Sequence, residues 1–226
     1  MLTFPALSTP LSHLHDLMRP IVPVASVYLG PPVGGFADPE WEPVLLRRRI
    51  ARHLGQQGAP NPTIDAVVGH LARIPAVNAD YAVFARDGRV ILTHAMPGSK
   101  SYLATYSAPP KIGPLLAWQR SQEADEPWSL VDIAGVRPTI QALAEDRVRR
   151  LLIVDDPQDL RLGWFGDDLL CAVEEAESGL RHPNAQRGRL IDIAMRAAVV
   201  NGAAVSVLTA AEGRRLPDGI AALLKP

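Results

Sequence analysis

The feature that most constrains the fold is a pair of apolar runs near the end of the chain. These runs are AAVSVLT (203–209) and IAALL (220–224), and the polar stretch EGRRLPDG lies between them. A third apolar run, LLIV (151–154), occurs earlier. Strand backbones must pair within a sheet, and an apolar strand needs helices over its face. The three runs therefore predict strands of one mixed sheet, and Gly219 allows a sharp turn into the last of them.

The residues between these predicted strands have the apolar spacing of helices. The stretch 138–150 predicts a helix that begins at Pro138-Thr139, and 186–200 predicts an amphipathic helix followed by Gly202. LRLGWFGDD (160–168) predicts a second short strand, and DDLLCAVEEAE (167–177) predicts a helix. Strands that alternate with helices are typical of the α/β class, here an α/β/α sandwich around a mixed sheet.

The first half of the chain also mixes strands and helices. Its strongest local signal is Asp87-Gly88 between two apolar runs, which predicts a β-hairpin. Residues 22–30 predict a buried strand. Helices are predicted over 11–19, over 40–57 with Gly58 at its end, from Pro62-Thr63 onward, and around 115–118.

A polar, acidic stretch without periodicity, RSQEADEPW (120–128), interrupts the chain. Such stretches separate domains because few contacts cross them. We therefore predict an N-terminal α/β domain over 1–122, a linker over 123–135 and a C-terminal domain over 136–226.

Composition excludes several classes of function. The net charge is −1 over 226 residues, which argues against a protein that wraps free nucleic acid and against a DNA partner. Any contact with RNA must be local. The single cysteine, Cys171, allows no intrachain disulfide and reads as a small buried side chain. The first residues lack the pattern of a secretory signal, and no apolar run is long enough to span a membrane, so we expect a cytoplasmic protein.

No motif assembles a catalytic or metal site. LLIVDDP resembles the start of a response-regulator receiver, but the later aspartate and lysine of a receiver are missing, so we interpret Asp155-Asp156 as a solvated acidic turn. His13 and His15 are two residues apart on a predicted helix and point in different directions, which favours a solvated helix over a metal site. The glycine loop at 33–36 lacks a following Gly-Lys-Ser/Thr. We therefore predict no enzyme activity, no metal and no cofactor.

Arginines form two basic clusters that are candidates for contact with RNA or a protein partner. The alternative is that each cluster is an ordinary solvated surface. Arginine forks suit phosphate groups, which is the reason for singling them out. The candidates are Arg47, Arg48, Arg49 and Arg52 on the predicted helix over 40–57, and Arg147, Arg149 and Arg150 just before LLIV.

Pieces from both halves, taken in order, resemble the bacterial relatives of the archaeo-eukaryotic peptide release factor and Pelota family, a Balon-like group. The resemblance covers roughly residues 22–119 and 136–224. The segments that carry it are SVYLGPP, LLRRRIARHL, GQQGAP, FARDGRVILTHAMPG and PKIGPLLAWQ, then VRPTIQALAEDRVRRLLIVDD, WFGDD and GAAVSVLTAAEGRRLPDGIAALL.

The chain departs from that family between its two halves. The resemblance implies that the family's central domain is missing, since 119 leads almost directly to 136. That domain carries the Gly-Gly-Gln loop of true release factors, whereas here Gly34-Gly35 precede Phe36. There is also no match to the stop-codon-reading motif. The resemblance therefore implies common ancestry and a partner-binding third domain, without release activity.

We therefore expect a non-catalytic protein that binds the ribosome or a translation factor, as a stress or hibernation factor would. Its partners would be rRNA or a translational GTPase. The alternative is a protein-interaction or scaffold module without RNA binding. Homo-oligomerisation is compatible with both.

Overall fold

The computed structural model of the protein describes residues 11–30, 42–74, 80–99, 103–122, 131–166, 173–174, 185–214 and 216–226. Helices alternate with strands along the chain, so the predicted α/β class is confirmed. The predicted glycine loop at 33–36, Cys171 and the first part of the predicted linker lie outside the described residues.

The helices, in chain order, are α1 (Leu11–Met18), α2 (Glu42–Gln56), α3 (Asn61–Leu71), α4 (Gly113–Gln122), α5 (Val136–Ala144), α6 (Leu190–Val200) and α7 (Ala210–Gly213). The strands are β1 (Val24–Leu29), β2 (Tyr81–Arg86), β3 (Arg89–Ala95), β4 (Leu103–Ser107), β5 (Ile133–Ala134), β6 (Val148–Val154), β7 (Leu162–Phe165), β8 (Val173–Glu174), β9 (Gln186–Arg189), β10 (Ala204–Leu208) and β11 (Ile220–Leu224).

The chain divides into two compact units. The inserted unit is Val22–Leu115, and the discontinuous unit consists of Met1–Ile21 together with Leu116–Pro226. This grouping differs from the division at 122 and 136, because α1 packs against α6 and so belongs with the C-terminal half. The domain limits from the sequence stay a prediction.

The inserted unit is an antiparallel sheet with α2 and α3 packed on one face. Its strand order is β3-β2-β1-β4. Ile50 and Leu54 of α2 are fully buried, as is Val67 of α3, and they form one core cluster with strand residues such as Val27 and Val83. This packing fixes which face of α2 points to solvent.

The predicted hairpin is confirmed between β2 and β3. Arg86 pairs with Arg89, and the two residues between them have positive φ angles, 51° at Asp87 and 72° at Gly88. Positive φ at both positions is the geometry that favours Asp-Gly. The Gly88 backbone N–H also donates to Oγ1 of Thr63, 3.3 Å away, which ties the turn to the start of α3.

Gln57 anchors the end of α2 to the edge strand β4. Its Nε2 donates to the carbonyl of Ala104 at 3.3 Å, and its Oε1 accepts from the backbone N–H of Tyr106 at 2.8 Å. The amide group thus satisfies two edge groups that another strand would otherwise bind. The C-terminal half of α2 is therefore held at a fixed place beside the sheet.

The discontinuous unit is built on a mixed sheet of order β10-β6-β11-β5. Strands β6 and β10 are parallel, and β11 is antiparallel to both β6 and β5. The strands predicted from the three apolar runs are confirmed, and Gly219 adopts a φ of 69° before β11. A second antiparallel sheet has the order β8-β7-β9.

Four details of the sequence prediction are wrong. The helix predicted from 186 begins at Leu190, because residues 186–189 pair with Leu162–Phe165 as β9. The helix predicted through 150 ends at Ala144, because Val148–Val154 pair with β10 and β11. Residues 133–134 of the predicted linker form β5 against β11. Val173 and Glu174 pair with β7, within a stretch predicted to be helical.

Gly213 in α7 packs directly against Val154 of β6. A Cβ at Gly213 would collide with Cγ2 of Val154, whose β-branched side chain has little rotamer freedom. We expect Gly213→Ala to lower the free energy of unfolding by about 1–3 kcal/mol. Gly69→Ala in α3 is the matched control: no atom lies within 4 Å of its Cβ position, and we expect a gain of about 0.5–1 kcal/mol. Urea unfolding of both variants checks the prediction, and equal stabilities would contradict it.

Candidate functional site

The exposed face of α2 carries an arginine-rich stripe. Because Ile50 and Leu54 face the core, the residues on the opposite side of the helix point to solvent. These residues recur at spacings of three and four, as one helix face requires. We call them the α2 stripe: Leu45, Arg48, Arg49, Arg52, His53 and Gln56, all of them exposed.

The positive charge of the α2 stripe is uncompensated in the part of the chain that the structure describes. No ion pair there involves Arg48, Arg49 or Arg52. The stripe contains no acidic residue. Arg48 and Arg52 are one turn apart, and such like-charge pairs destabilise a helix by about 0.2–0.5 kcal/mol. The charge of the stripe therefore does not stabilise its own helix, and its arginine side chains are exposed to solvent.

Arg47, the fourth predicted residue of this cluster, lies beside the stripe and is half-buried. The structure thus brings all four predicted arginines together on one helix. Three of them form one continuous surface with His53.

The second predicted cluster has a different environment. Arg149 and Arg150 lie inside β6, and Arg147 directly precedes it. Arg147 forms an ion pair with Glu145 at 2.5 Å, and Nη1 of Arg150 donates to Ser206 Oγ at 3.4 Å. Lys225 nearby pairs with Asp146 at 2.7 Å. Because Glu145 offsets the charge of Arg147 and Arg150 is bonded within the sheet to Ser206, the cluster is a weaker candidate than the α2 stripe.

A third charged site, which the sequence did not indicate, surrounds Arg189. Nη1 of Arg189 donates to Asp155 Oδ1 at 2.7 Å and contacts Asp192 Oδ1 at 3.5 Å. The same guanidinium donates to the carbonyls of Asp156 and Asp159. We call Arg189, Asp155 and Asp192 the Arg189 junction. It joins the loop after β6 to the first turn of α6.

The loop from Asp155 to Arg161 is also bonded internally. The guanidinium of Arg161 makes two hydrogen bonds to the carboxylate of Asp159, at 2.9 and 2.6 Å, and one to the carbonyl of Asp218 at 2.7 Å. The backbone N–H of Gln158 donates to Asp156 Oδ1 at 2.8 Å. These hydrogen bonds therefore hold the loop to itself and to the turn at Asp218.

Burial raises the pKa values of the two carboxyl groups of the Arg189 junction. Burial raises the pKa of Asp155 to about 6, and the charges of Asp156 and Asp159 act in the same direction. Burial also raises the pKa of Asp192 to about 7, although Arg189 opposes that rise. The interpretation of Asp155 as part of a solvated turn is wrong, since 12% of its side chain is exposed. Only Asp156 is exposed as predicted.

Helix α1 is held by a buried arginine on α6. Arg196 is 3% exposed, and its guanidinium donates to the carbonyls of Met18 and Arg19, each at 2.9 Å. It also lies 5.5 Å from the ring centroid of Phe165, in a cation–π contact. Cations at a helix C-terminus satisfy its free carbonyls. The helix α1 is solvated on one side only: Asp16 is exposed, as expected, whereas Leu14, Leu17 and Met18 are buried.

The described residues contain no group of three or more His, Cys, Asp or Glu side chains arranged to hold a metal ion. Within the Arg189 junction, the guanidinium takes the central position that a cation would need. No helix in the described ranges is long and apolar enough to cross a membrane.

The α2 stripe, the Arg189 junction and Arg196 differ in whether their charge is available to other molecules. The α2 stripe presents charge to solvent, whereas the Arg189 junction and Arg196 use their charge inside the fold. In comparisons with known proteins, no family model matches the chain and no curated sequence is similar to it.

Proposed function

We propose that the protein is a non-catalytic cytoplasmic factor that binds the ribosome or a translation factor, as a stress or hibernation factor would. The single observation that carries the proposal is the α2 stripe, with Arg48, Arg49 and Arg52 exposed and outside any ion pair among the described residues. Guanidinium forks bind phosphate oxygens in pairs, which suits the backbone of rRNA.

The contact is expected to be local and independent of base sequence. A net charge of −1 gives the whole chain little attraction for RNA, so the attraction must come from the stripe. Phosphate contacts position a protein on nucleic acid without reading its sequence. Binding would then place the protein at an accessible rRNA backbone and block that site.

Replacing the three stripe arginines is expected to abolish most ribosome binding. In Arg48→Gln/Arg49→Gln/Arg52→Gln, we expect affinity for ribosomes at low salt to fall about ten-fold or more, and the slope of log affinity against log salt to fall by about two to three. Thermal stability should be unchanged or slightly raised, because like-charge repulsion is removed. Ribosome co-sedimentation over a salt series, together with thermal unfolding, measures both effects.

The matched control removes the same charge from the other cluster. Arg147→Gln/Arg149→Gln/Lys225→Gln also changes the net charge by three units but leaves the α2 stripe intact. It should retain binding. Equal losses in the two triple variants would show that net charge alone matters, and absence of the parent protein from ribosomes in both growing and starved cells would contradict the proposal.

One observation favours the alternative of a protein-interaction module. Leu160 is 81% exposed, about twice as much as Val22, Leu45 and Ile91, the other large exposed apolar residues described. It is carried by the loop after β6, next to the hydrogen-bonded pair of Asp159 and Arg161, and these bonds would reduce the conformational entropy lost on docking. Pull-downs at two salt concentrations distinguish the two functions. A stable protein partner that is retained at high salt, together with no ribosomal RNA at low salt, supports the interaction module.

A further inference from the structure

We propose that the Arg189 junction is a proton-dependent clamp that sets how firmly the 155–161 loop is held against the start of α6. The guanidinium of Arg189 bonds two loop carbonyls, of Asp156 and Asp159, and two carboxylates, of Asp155 and Asp192. The carboxylates come from different elements, and each is about nine-tenths buried. A change in their charge therefore acts directly on the contact between loop and helix.

Several charged side chains of the described residues surround the clamp. From the loop, Asp155, Asp156, Asp159 and Arg161 face it, and Arg189 and Asp192 face it from β9 and α6. Asp218, from the turn before β11, contributes its carbonyl to Arg161, and its carboxylate accepts from the Val136 N–H at 3.2 Å. Burial of Asp155 and Asp192, together with the neighbouring carboxylates, favours proton uptake by these two groups.

Proton uptake stabilises the clamp. Because the pKa values of Asp155 and Asp192 are raised to about 6 and about 7, both groups bind protons more tightly in the folded state than in the unfolded state. Their contribution to stability is therefore greatest near about pH 4, the ordinary pKa range of an aspartate carboxyl, and is lost as the pH rises through the folded-state pKa values, so that little of it remains at pH 8. The loop should be held more firmly at pH 6 than at pH 8.

Two histidines act in the opposite direction over part of this range. Burial lowers the pKa values of His70 and His94, so their contribution to stability is lost as the pH falls. Both lie in the inserted unit, on α3 and β3. The test must therefore compare a variant with its parent at each pH, so that the histidines cancel.

The experiment is urea unfolding of the full chain and of Asp192→Asn between pH 6 and pH 8. Asparagine cannot ionise, so the ratio of the variant's folding equilibrium constant to the parent's should rise about ten-fold across this range. Asp146→Asn is the control, because Asp146 directly precedes Arg147 in the same unit, has 61% of its side chain exposed and pairs with Lys225 and not with a histidine. Its ratio should be independent of pH. A pH-independent ratio for Asp192→Asn would overturn the proposal.

A second measurement applies if Asp192→Asn does not fold. In the parent protein, carbon-13 NMR of the aspartate carboxyl groups should give titration midpoints near 6 and 7 for Asp155 and Asp192. Amide exchange at Gln158 and Asp159, corrected for intrinsic rates, should be slower at pH 6 than at pH 8. Midpoints near 4 for both carboxyls, or loop exchange independent of pH, would overturn the clamp.

Discussion

Removal of residues 1–21 is expected to unfold the discontinuous unit, although most of that unit lies more than ninety residues further along the chain. The deletion removes the buried side chains of Leu14, Leu17 and Met18 from the surface of α6. Loss of a buried Leu or Met side chain costs about 2–5 kcal/mol. Three such losses are comparable with the whole stability of a typical domain.

The deletion also removes two acceptors from Arg196. Its guanidinium would lose the carbonyls of Met18 and Arg19, and a buried cation that loses such partners is strongly destabilising. Circular dichroism and urea unfolding of the chain without 1–21 measure the effect. Deletion of 1–10 is the control, because it keeps α1. The expectation would be contradicted if the chain without residues 1–21 had the same unfolding midpoint as the full chain.

Arg189→Met is expected to be among the most destabilising single substitutions in the chain. It leaves the carboxylates of Asp155 and Asp192 buried without their central cation. Removing one partner of a buried ion pair costs about 3–5 kcal/mol. The cost should be smaller at pH 6 than at pH 8, because the remaining carboxyls can then bind protons.

If uncompensated charge causes the loss of stability in Arg189→Met, further substitutions that remove this charge should restore the stability. Adding Asp155→Asn and Asp192→Asn to Arg189→Met removes the uncompensated charge, so most of the lost stability should return at pH 8. Arg149→Met is the matched control, since Arg149 is exposed on β6 and its replacement should cost within about 0.5 kcal/mol. If the triple variant is as unstable as Arg189→Met alone, the loss arises from packing and not from charge.

Local signals in the sequence were sufficient to predict those elements whose structure depends on residues that are close together in the chain. Asp-Gly at 87–88 specified the hairpin because few other pairs accept two positive φ angles in succession. The apolar run at 220–224 predicted β11 because only a paired strand buries it. Helical spacing also brought Arg48, Arg49 and Arg52 together on α2, although Arg47, predicted with them, is half-buried.

Features that depend on distant residues could not be read in the same way. The polar stretch 186–189 directly precedes the apolar spacing of α6 and was assigned to the same helix, yet pairing with β7 holds it extended. Asp155 follows a strand as a solvated turn would, and only the arrival of Arg189, 34 residues later, buries it. Periodicity reports which side of an element is apolar, but not which element covers it.

The packing of α1 against α6 determines the order in which parts of the protein can fold during synthesis. Arg196 and Met18 are separated by 178 residues, so a ribosome that adds about 5–20 residues per second completes α1 on the order of ten seconds or more before α6. During that interval the inserted unit can fold from its own residues, whereas the apolar side of α1 has no place to dock. Nascent chains should therefore need shielding of α1 by a chaperone, and conditions that slow elongation should favour their aggregation.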